Sequence, residues 1–146
     1  MHNYQTLRSR AALAGVRKAI RADLRGVRAD PALAFDCLVA VTEASTNALL
    51  HGIGRDDTRH PEVAWEIGEA KAVFEIRDFS TEQWSRTMHP SRDIPETLQG
   101  DSDVRVGGFG LQLMRELMDD VEIERGPLGT TVTLTKRLDA TPALRS

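Results

Sequence analysis

The chain has 146 residues, a mass of 16.2 kDa and a formal net charge of -3, with 40% hydrophobic and 28% charged residues. This composition is ordinary for one globular domain, and it lacks the basic excess typical of a surface that binds nucleic acid. Cys37 is the only cysteine, so no internal disulfide can form. We expect a cytoplasmic protein with no signal peptide and no membrane span, because no apolar run approaches ~18 residues.

The first half of the chain predicts two helices followed by a hairpin. A first helix is predicted over residues 6–26, where apolar residues recur at three- and four-residue intervals. A second helix is predicted from Asp30-Pro31 to about His51, because Asp can cap a helix and proline suits its first position. Residues 62–68 and 72–78 alternate apolar and polar side chains, as half-buried strands do.

In the second half, periodicity disappears over residues 79–106, which are predicted to form a long lid or a disordered segment. A third helix is predicted to open at Gly107 to Gly110. Two closing strands are predicted at residues 121–124 and 131–136, and a frayed tail over 139–146. Paired strands and segregated helices predict an α+β two-layer sandwich.

The second predicted helix carries an unusual polar face. On a helical wheel, Glu43, Asn47 and His51 share one side, opposite the apolar side that contains Leu38 and Ser45. Such a face can simply be solvated. Asn is nonetheless a mediocre helix former, its amide oxygen suits Mg²⁺, and a nearby carboxylate can accept a proton.

Three shorter signals follow along the chain, and each has a bland alternative. Asp78 ends a strand, where it could bind an exocyclic amine or cap a loop. Gly108 and Gly110 open the predicted third helix, where free amides favour phosphate, although a flexible turn has the same composition. Thr130 and Thr131 follow Gly129 and could reach a phosphate, but threonine also favours strands.

The order of these motifs resembles the nucleotide-binding boxes of the GHKL ATPases. The segments EASTNALLHG, beginning at Glu43, and GFGLQLM, beginning at Gly108, look most like the RsbW-like anti-sigma factor and serine-protein kinase family. The resemblance covers nearly the whole chain, roughly residues 13–138. It implies a Bergerat fold with a mixed sheet covered on one face by helices.

The resemblance also implies roles for individual residues. Glu43 would be the general base for phosphoryl transfer to a serine, Asn47 would ligate Mg²⁺, and Asp78 would bind the adenine amine of ATP. The glycines would bring backbone amides to the phosphates. The remaining cofactor-binding positions implied by the motifs are Ser80, Arg105, Leu111, Thr130 and Thr131.

The resemblance further implies two protein partners, a sigma factor and a STAS-domain anti-anti-sigma factor, and a homodimer. The sequence departs from the family pattern at two places.

Ser80 stands where the family usually has glycine, so the adenine pocket is expected to differ from that of the family. Few residues precede the first predicted helix, so the usual first strand is expected to be short or absent.

Three functions remain open from the sequence. The first is a protein-serine kinase that also restrains a sigma factor, favoured by Glu43 and Asn47. The second is a binding module without phosphoryl transfer, favoured by Ser80. The third is the catalytic fragment of a histidine kinase, disfavoured because His2 lies too early for a phosphoacceptor helix.

Overall fold

The computed structural model describes residues 3–51, 59–79 and 102–139, except for the side chains of His51 and of residues 102–109. These ranges contain five strands and three helices. In chain order they are β1 (Asn3–Thr6), α1 (Arg10–Gly26), α2 (Pro31–His51), β2 (Glu62–Ile67), β3 (Lys71–Asp78), α3 (Ser102–Leu117), β4 (Asp120–Gly126) and β5 (Gly129–Arg137).

The strands form one sheet in the order β1-β2-β3-β5-β4, and every pairing is antiparallel. The expectation of a mixed sheet is therefore wrong for the described strands. The reason lies in the connections: β2–β3 and β4–β5 are hairpins, and short hairpin turns can join only antiparallel neighbours. The two hairpins then meet along β3 and β5, which also run in opposite directions.

Three helices cover one face of this sheet. Alternate strand residues point toward them and are buried, among them Val63, Trp65, Phe74, Ile76 and Leu134. Burial of one such large side chain contributes ~1.5–3 kcal/mol, so this row supplies much of the driving force for folding. The predicted α+β two-layer sandwich is confirmed.

The middle helix, α2, is the centre of the core. It contacts α1, α3, β3 and β5, and its bounds agree with the prediction. Its length and composition alone would allow residues 31–50 to cross a membrane. An apolar helix surrounded by other elements passes the same test, and the packing of α2 identifies it as a core helix of this kind.

The first helix starts later than predicted, because residues 3–6 form strand β1. This strand pairs with β2 over four residues, so the expected first strand is present but short. Asp23 fastens α1 to the same edge of the sheet: its Oδ2 atom accepts hydrogen bonds from Trp65 Nε1 at 2.9 Å and from Asn3 Nδ2 at 3.3 Å.

A buried lysine joins α2, α3 and β5 at the other end of the molecule. Lys136 Nζ donates to the carbonyl oxygen of Leu117, the last residue of α3, at 2.5 Å, and lies 3.4 Å from Asp36 Oδ2. A cation at the C-terminus of a helix also favours its dipole. Burial raises the pKa of the adjacent Cys37 thiol to about 12, although Lys136 acts in the opposite direction, so this thiol is neutral.

Replacement of Lys136 by methionine is expected to lower the free energy of unfolding by about 1–3 kcal/mol, because the Leu117 carbonyl and the Asp36 carboxylate each lose a partner. Urea unfolding followed by circular dichroism measures this change. Lys71→Met is the matched control: Lys71 is exposed at the start of β3, and we expect a change within ~0.5 kcal/mol. Equal stabilities for the two variants would contradict the role of Lys136.

Candidate functional site

The polar side of α2 is covered by protein. Asn47 is only 3% exposed and Glu43 is half-buried, so the alternative of a simply solvated face is wrong. Both side chains lie beneath α3, since α2 packs against α3 as well as against the sheet. A covered amide and carboxylate one helical turn apart form the centre of the candidate site.

Gly110 of α3 brings the two helices together at this point. A Cβ atom at position 110 would lie 2.9 Å from Glu43 Oε1 and 3.6 Å from Asn47 Nδ2. Gly110, Glu43 and Asn47 therefore lie together where the two helices meet. The absence of a side chain at position 110 lets α3 approach the polar side of α2.

The structural setting of the glycines differs from the prediction. The third helix begins at Ser102, so residues 102–106, predicted as the end of the lid, are helical. Gly108 and Gly110 lie inside this helix. Amide groups in a helix interior already donate to carbonyl oxygens four residues earlier, so the proposed phosphate contact of a free helix N-terminus does not apply to them.

The amide oxygen of Asn47 lacks a hydrogen-bond donor among the described residues. This Oδ1 atom is also buried. A buried carbonyl oxygen without a donor costs about 1–3 kcal/mol, so the position suits an external ligand. Mg²⁺ fits this donor, since it takes one or two protein oxygens and completes its shell with water and phosphate.

A second cluster lies at the end of β3. Asp78 is 4% exposed and Thr130 is 2% exposed, and the two residues face each other across β3 and β5. Asp78 continues the buried row of Phe74 and Ile76, so it belongs to the helix-covered side of the sheet. Asn47 is on a helix of that side, and a cavity common to Asn47 and Asp78 stays a prediction.

The glycine of the Gly-Thr motif fixes this strand end. Gly129 has φ of 132°, and a Cβ atom there would collide with the backbone of Asp78 and Phe79. Any L-residue at position 129 would therefore displace the end of β3. The glycine of the motif therefore permits the observed position of Asp78, and the motif also supplies Thr130.

The structure separates the two threonines of this motif. Thr131 pairs with Arg77, so its side chain lies on the open face of the sheet, away from Asp78 and Thr130. There it lines a cavity of about 470 Å³ together with Arg77, Phe79 and Arg125. The sequence contains a signal for this separation, because alternate residues of a strand lie on the same face. Thr130 therefore shares its face with the apolar Val132 and Leu134, and Thr131 does not.

The remaining predicted positions are placed less fully. Leu111 is half-buried and packs on the core beside Gly110. Arg105 lies in the first turns of α3, and His51 is the last residue of α2. The structure describes the backbone of these two residues but not their side chains. Ser80 lies outside the described residues altogether.

One polar residue of α2 had no predicted role. Ser45 was placed with the apolar side of the helix, and it is fully buried. Its Oγ atom has no hydrogen-bond partner among residues 3–51, 59–79 and 102–139. A serine inside an otherwise apolar helix face is the sequence signal that could have marked it.

Comparisons with known proteins identify the family of the chain. Residues 7–136 match the Histidine kinase-like ATPase domain family. Serine-protein kinase RsbW of Bacillus licheniformis is 31% identical over 129 residues, which cover 82% of this chain and 77% of the relative. RsbW of Listeria monocytogenes serotype 4a (strain HCC23) is 28% identical over 123 residues, or 82% and 78% of the two chains.

Two solved structures share the fold. The first contains the RsbU and RsbW domains of Rv1364c from Mycobacterium tuberculosis; it has a TM-score of 0.64 and 25% identity, and covers 92% of this chain but only 32% of that longer chain. The second is the SiaB-SiaC complex from Pseudomonas aeruginosa, with a TM-score of 0.60, 16% identity and coverage of 88% and 83%. The chain belongs to the histidine kinase-like ATPase family, in the group of RsbW-like serine-protein kinases.

Proposed function

We propose that this protein binds Mg²⁺ and ATP and phosphorylates a serine of a protein partner. The observation that carries the proposal is the buried, unpartnered amide oxygen of Asn47, one turn from Glu43 and against Gly110. Membership of a kinase-like ATPase family supports the same chemistry. Bound ATP supplies the phosphoryl group, and the residues of this chain hold and orient the reactants.

Glu43 and Asn47 have complementary roles in the proposed site. The Asn47 amide oxygen would ligate Mg²⁺, which satisfies its missing interaction. The Glu43 carboxylate would accept the proton of the attacking serine hydroxyl, as a general base does. Helical spacing holds the two groups about 6 Å apart along α2, at a rise of ~1.5 Å per residue.

Adenine recognition is assigned to the strand-end cluster. Asp78 would accept a hydrogen bond from the exocyclic amine, and the Thr130 hydroxyl would support it from the neighbouring strand. Both residues are almost fully buried, which excludes competing water and strengthens such polar contacts. Thr131 has no place in this proposal, because it lies on the other face of the sheet.

The partners are proposed from the relatives. Proteins named serine-protein kinase RsbW align with most of this chain, which supports a STAS-domain anti-anti-sigma factor as the phosphorylated partner and a sigma factor as the sequestered one. A homodimer is also proposed. It is compatible with β1, which is present as an edge strand and leaves one side open to pairing.

A non-catalytic binding module is the second candidate. Ser80 stands where the family usually has glycine, and a side chain there would crowd the approach of backbone to adenine. Such a module would bind its partners without phosphoryl transfer.

Replacement of Asn47 by alanine is expected to weaken Mg²⁺-dependent ATP binding by at least tenfold, because the metal loses its protein ligand. Calorimetric titration with ATP and ADP, with and without Mg²⁺, measures this loss. Asn3→Ala makes the same change in the only other asparagine, at the sheet edge, and should leave affinity unchanged. Equal ATP affinity in wild type and Asn47→Ala would remove Asn47 from the metal site.

Replacement of Glu43 by glutamine is expected to preserve ATP affinity and slow phosphoryl transfer by ~10²–10⁴-fold, since the amide cannot accept the proton. Transfer of label from ATP to a cognate STAS-domain protein is the measurement. Glu116→Gln, on the exposed side of α3, is the control and should keep full activity. Wild-type protein that binds ATP tightly yet transfers nothing would select the binding module over the kinase.

Replacement of Gly110 by alanine separates activity from stability. The added methyl group meets the flexible end of Glu43, so the carboxylate moves and transfer should fall at least tenfold while the fold persists. Gly15→Ala is the control, because a Cβ atom there has only Gln5 Nε2 at 3.8 Å; it should stabilise α1 by ~0.5–1 kcal/mol without loss of activity. In a Glu43→Gln background, Gly110→Ala should cause little further loss, and additive losses would contradict a shared mechanism.

A further inference from the structure

A groove lies between the second half of α1 and the first half of α2. Asn47 lies in the second half of α2, away from this groove. We name it the α1–α2 groove; its volume is about 450 Å³. Its floor is apolar, formed by the buried side chains of Leu24 and Leu38. Phe35 forms one wall and is 64% exposed, so its ring is available to a partner that enters the groove.

The α1 rim of this groove carries a row of positive charge. Arg17, Arg21 and Arg25 follow each other at one-turn spacing, and all three line the groove. Like charges at this spacing repel each other by ~0.2–0.5 kcal/mol per pair, so the row destabilises an isolated helix. It stands out in a chain whose net charge is -3.

These arginines lack acidic partners within the described part of the chain. The structure gives none of the three guanidinium groups a salt bridge to the described residues. The Nε atom of Arg17 is buried with no acceptor there. The acidic residue of α1, Asp23, is already bonded to Trp65 and Asn3. The rim is therefore short of carboxylates.

We propose that the α1–α2 groove docks an acidic amphipathic helix of a protein partner. The apolar face of that helix would cover Phe35 and the groove floor, and its Asp or Glu side chains would pair with the arginine row. Carboxylates at four-residue spacing on such a helix repeat every ~6 Å, as the arginines do.

The backbone of the groove favours a helix over an extended peptide. Both walls are helices, whose N–H and C=O groups bond internally, so they offer no edge on which a strand could pair. The backbone groups of a bound helix are already hydrogen-bonded within that helix, and its apolar face can pack into a groove. The concave shape also disfavours a flat lipid surface as the occupant.

A second copy of this chain is a poorer occupant. The groove would need an exposed helix with an acidic and apolar face. Among the described helices, α1 is basic and α2 lies at the centre of the core. The described exposed residues of α3 include both Arg115 and Glu116, which gives that helix no acidic row.

The test uses synthetic peptides and the 146-residue chain without nucleotide. The probe is a fluorescein-labelled 15-residue amphipathic helix with leucines along one face and glutamates at four-residue spacing beside them. A second peptide carries lysine in place of every glutamate. Fluorescence anisotropy at low and physiological salt measures affinity; we expect the glutamate peptide to bind, more weakly as salt rises, and the lysine peptide not to bind.

Variants locate the binding. Arg21→Glu and Phe35→Ser should each weaken binding of the glutamate peptide by ~10-fold or more, because a rim charge and a hydrophobic anchor are lost. Lys18→Glu makes a similar charge reversal at an exposed position of α1 outside the groove and should change affinity less than ~2-fold by the same reasoning. Circular dichroism confirms that each variant is folded.

Several results would overturn the proposal. They are no binding of the glutamate peptide, equal binding of the lysine peptide, or equal affinities for Arg21→Glu and Lys18→Glu. Concentration-dependent dimerisation lost in Phe35→Ser would assign the groove to a second copy, and co-sedimentation with phosphatidylserine vesicles lost in Arg21→Glu would assign it to a lipid surface.

The proposal goes beyond the proposed kinase activity and is tested apart from it. ATP titration of Arg21→Glu and Phe35→Ser should give wild-type affinity, because neither residue belongs to the Glu43–Asn47 site. Asn47→Ala should in turn bind the glutamate peptide normally. A failed ATP site with intact peptide binding, or the reverse, shows which of the two proposals is wrong.

Discussion

The close approach of α2 and α3 at Gly110 is the contact on which the candidate site depends. Without a side chain at that position, α3 lies directly over Glu43 and Asn47, with room for the ends of both side chains and little more. The contact turns a polar helix face, which could have been solvated, into a covered one. A carboxylate and an amide removed from bulk water can interact with a bound ion or hydroxyl far more strongly than on an open surface.

In this arrangement α2 has two roles that require different kinds of residue. As the central helix it must be apolar on nearly every side, and it contacts α1, α3 and the sheet. As part of the site it must carry polar atoms, and the buried oxygens of Asn47 and Ser45 lack partners among the described residues. The fold tolerates this cost because the surrounding apolar packing is extensive. Unsatisfied polar groups in a well-packed helix are the positions where ligands, ions or ordered water are expected.

The strand-end cluster and the α1–α2 groove show how the same scaffold keeps different surfaces apart. Antiparallel pairing of β3 with β5 sets Asp78 opposite Thr130 on the covered side and Arg77 opposite Thr131 on the open side. The groove lies between α1 and the first turns of α2, whereas Glu43 and Asn47 lie in the later turns. A partner held in the groove therefore need not compete with a ligand at the site.

The sequence by itself determined the elements and the fold family: Asp30-Pro31 marked the start of α2, alternation located β3 and β5, and the order of motifs indicated a histidine kinase-like ATPase. Residues 102–106 escaped prediction because the adjacent glycines masked the helical pattern. The tertiary structure alone decided that Asn47 is buried, that Gly110 packs against Glu43, and that the sheet is antiparallel throughout the described strands. Periodicity records which face of an element is apolar, but it does not record which neighbour covers the other face. That depends on contacts between residues far apart in the chain, such as Glu43 and Gly110, and only the folded chain brings them together.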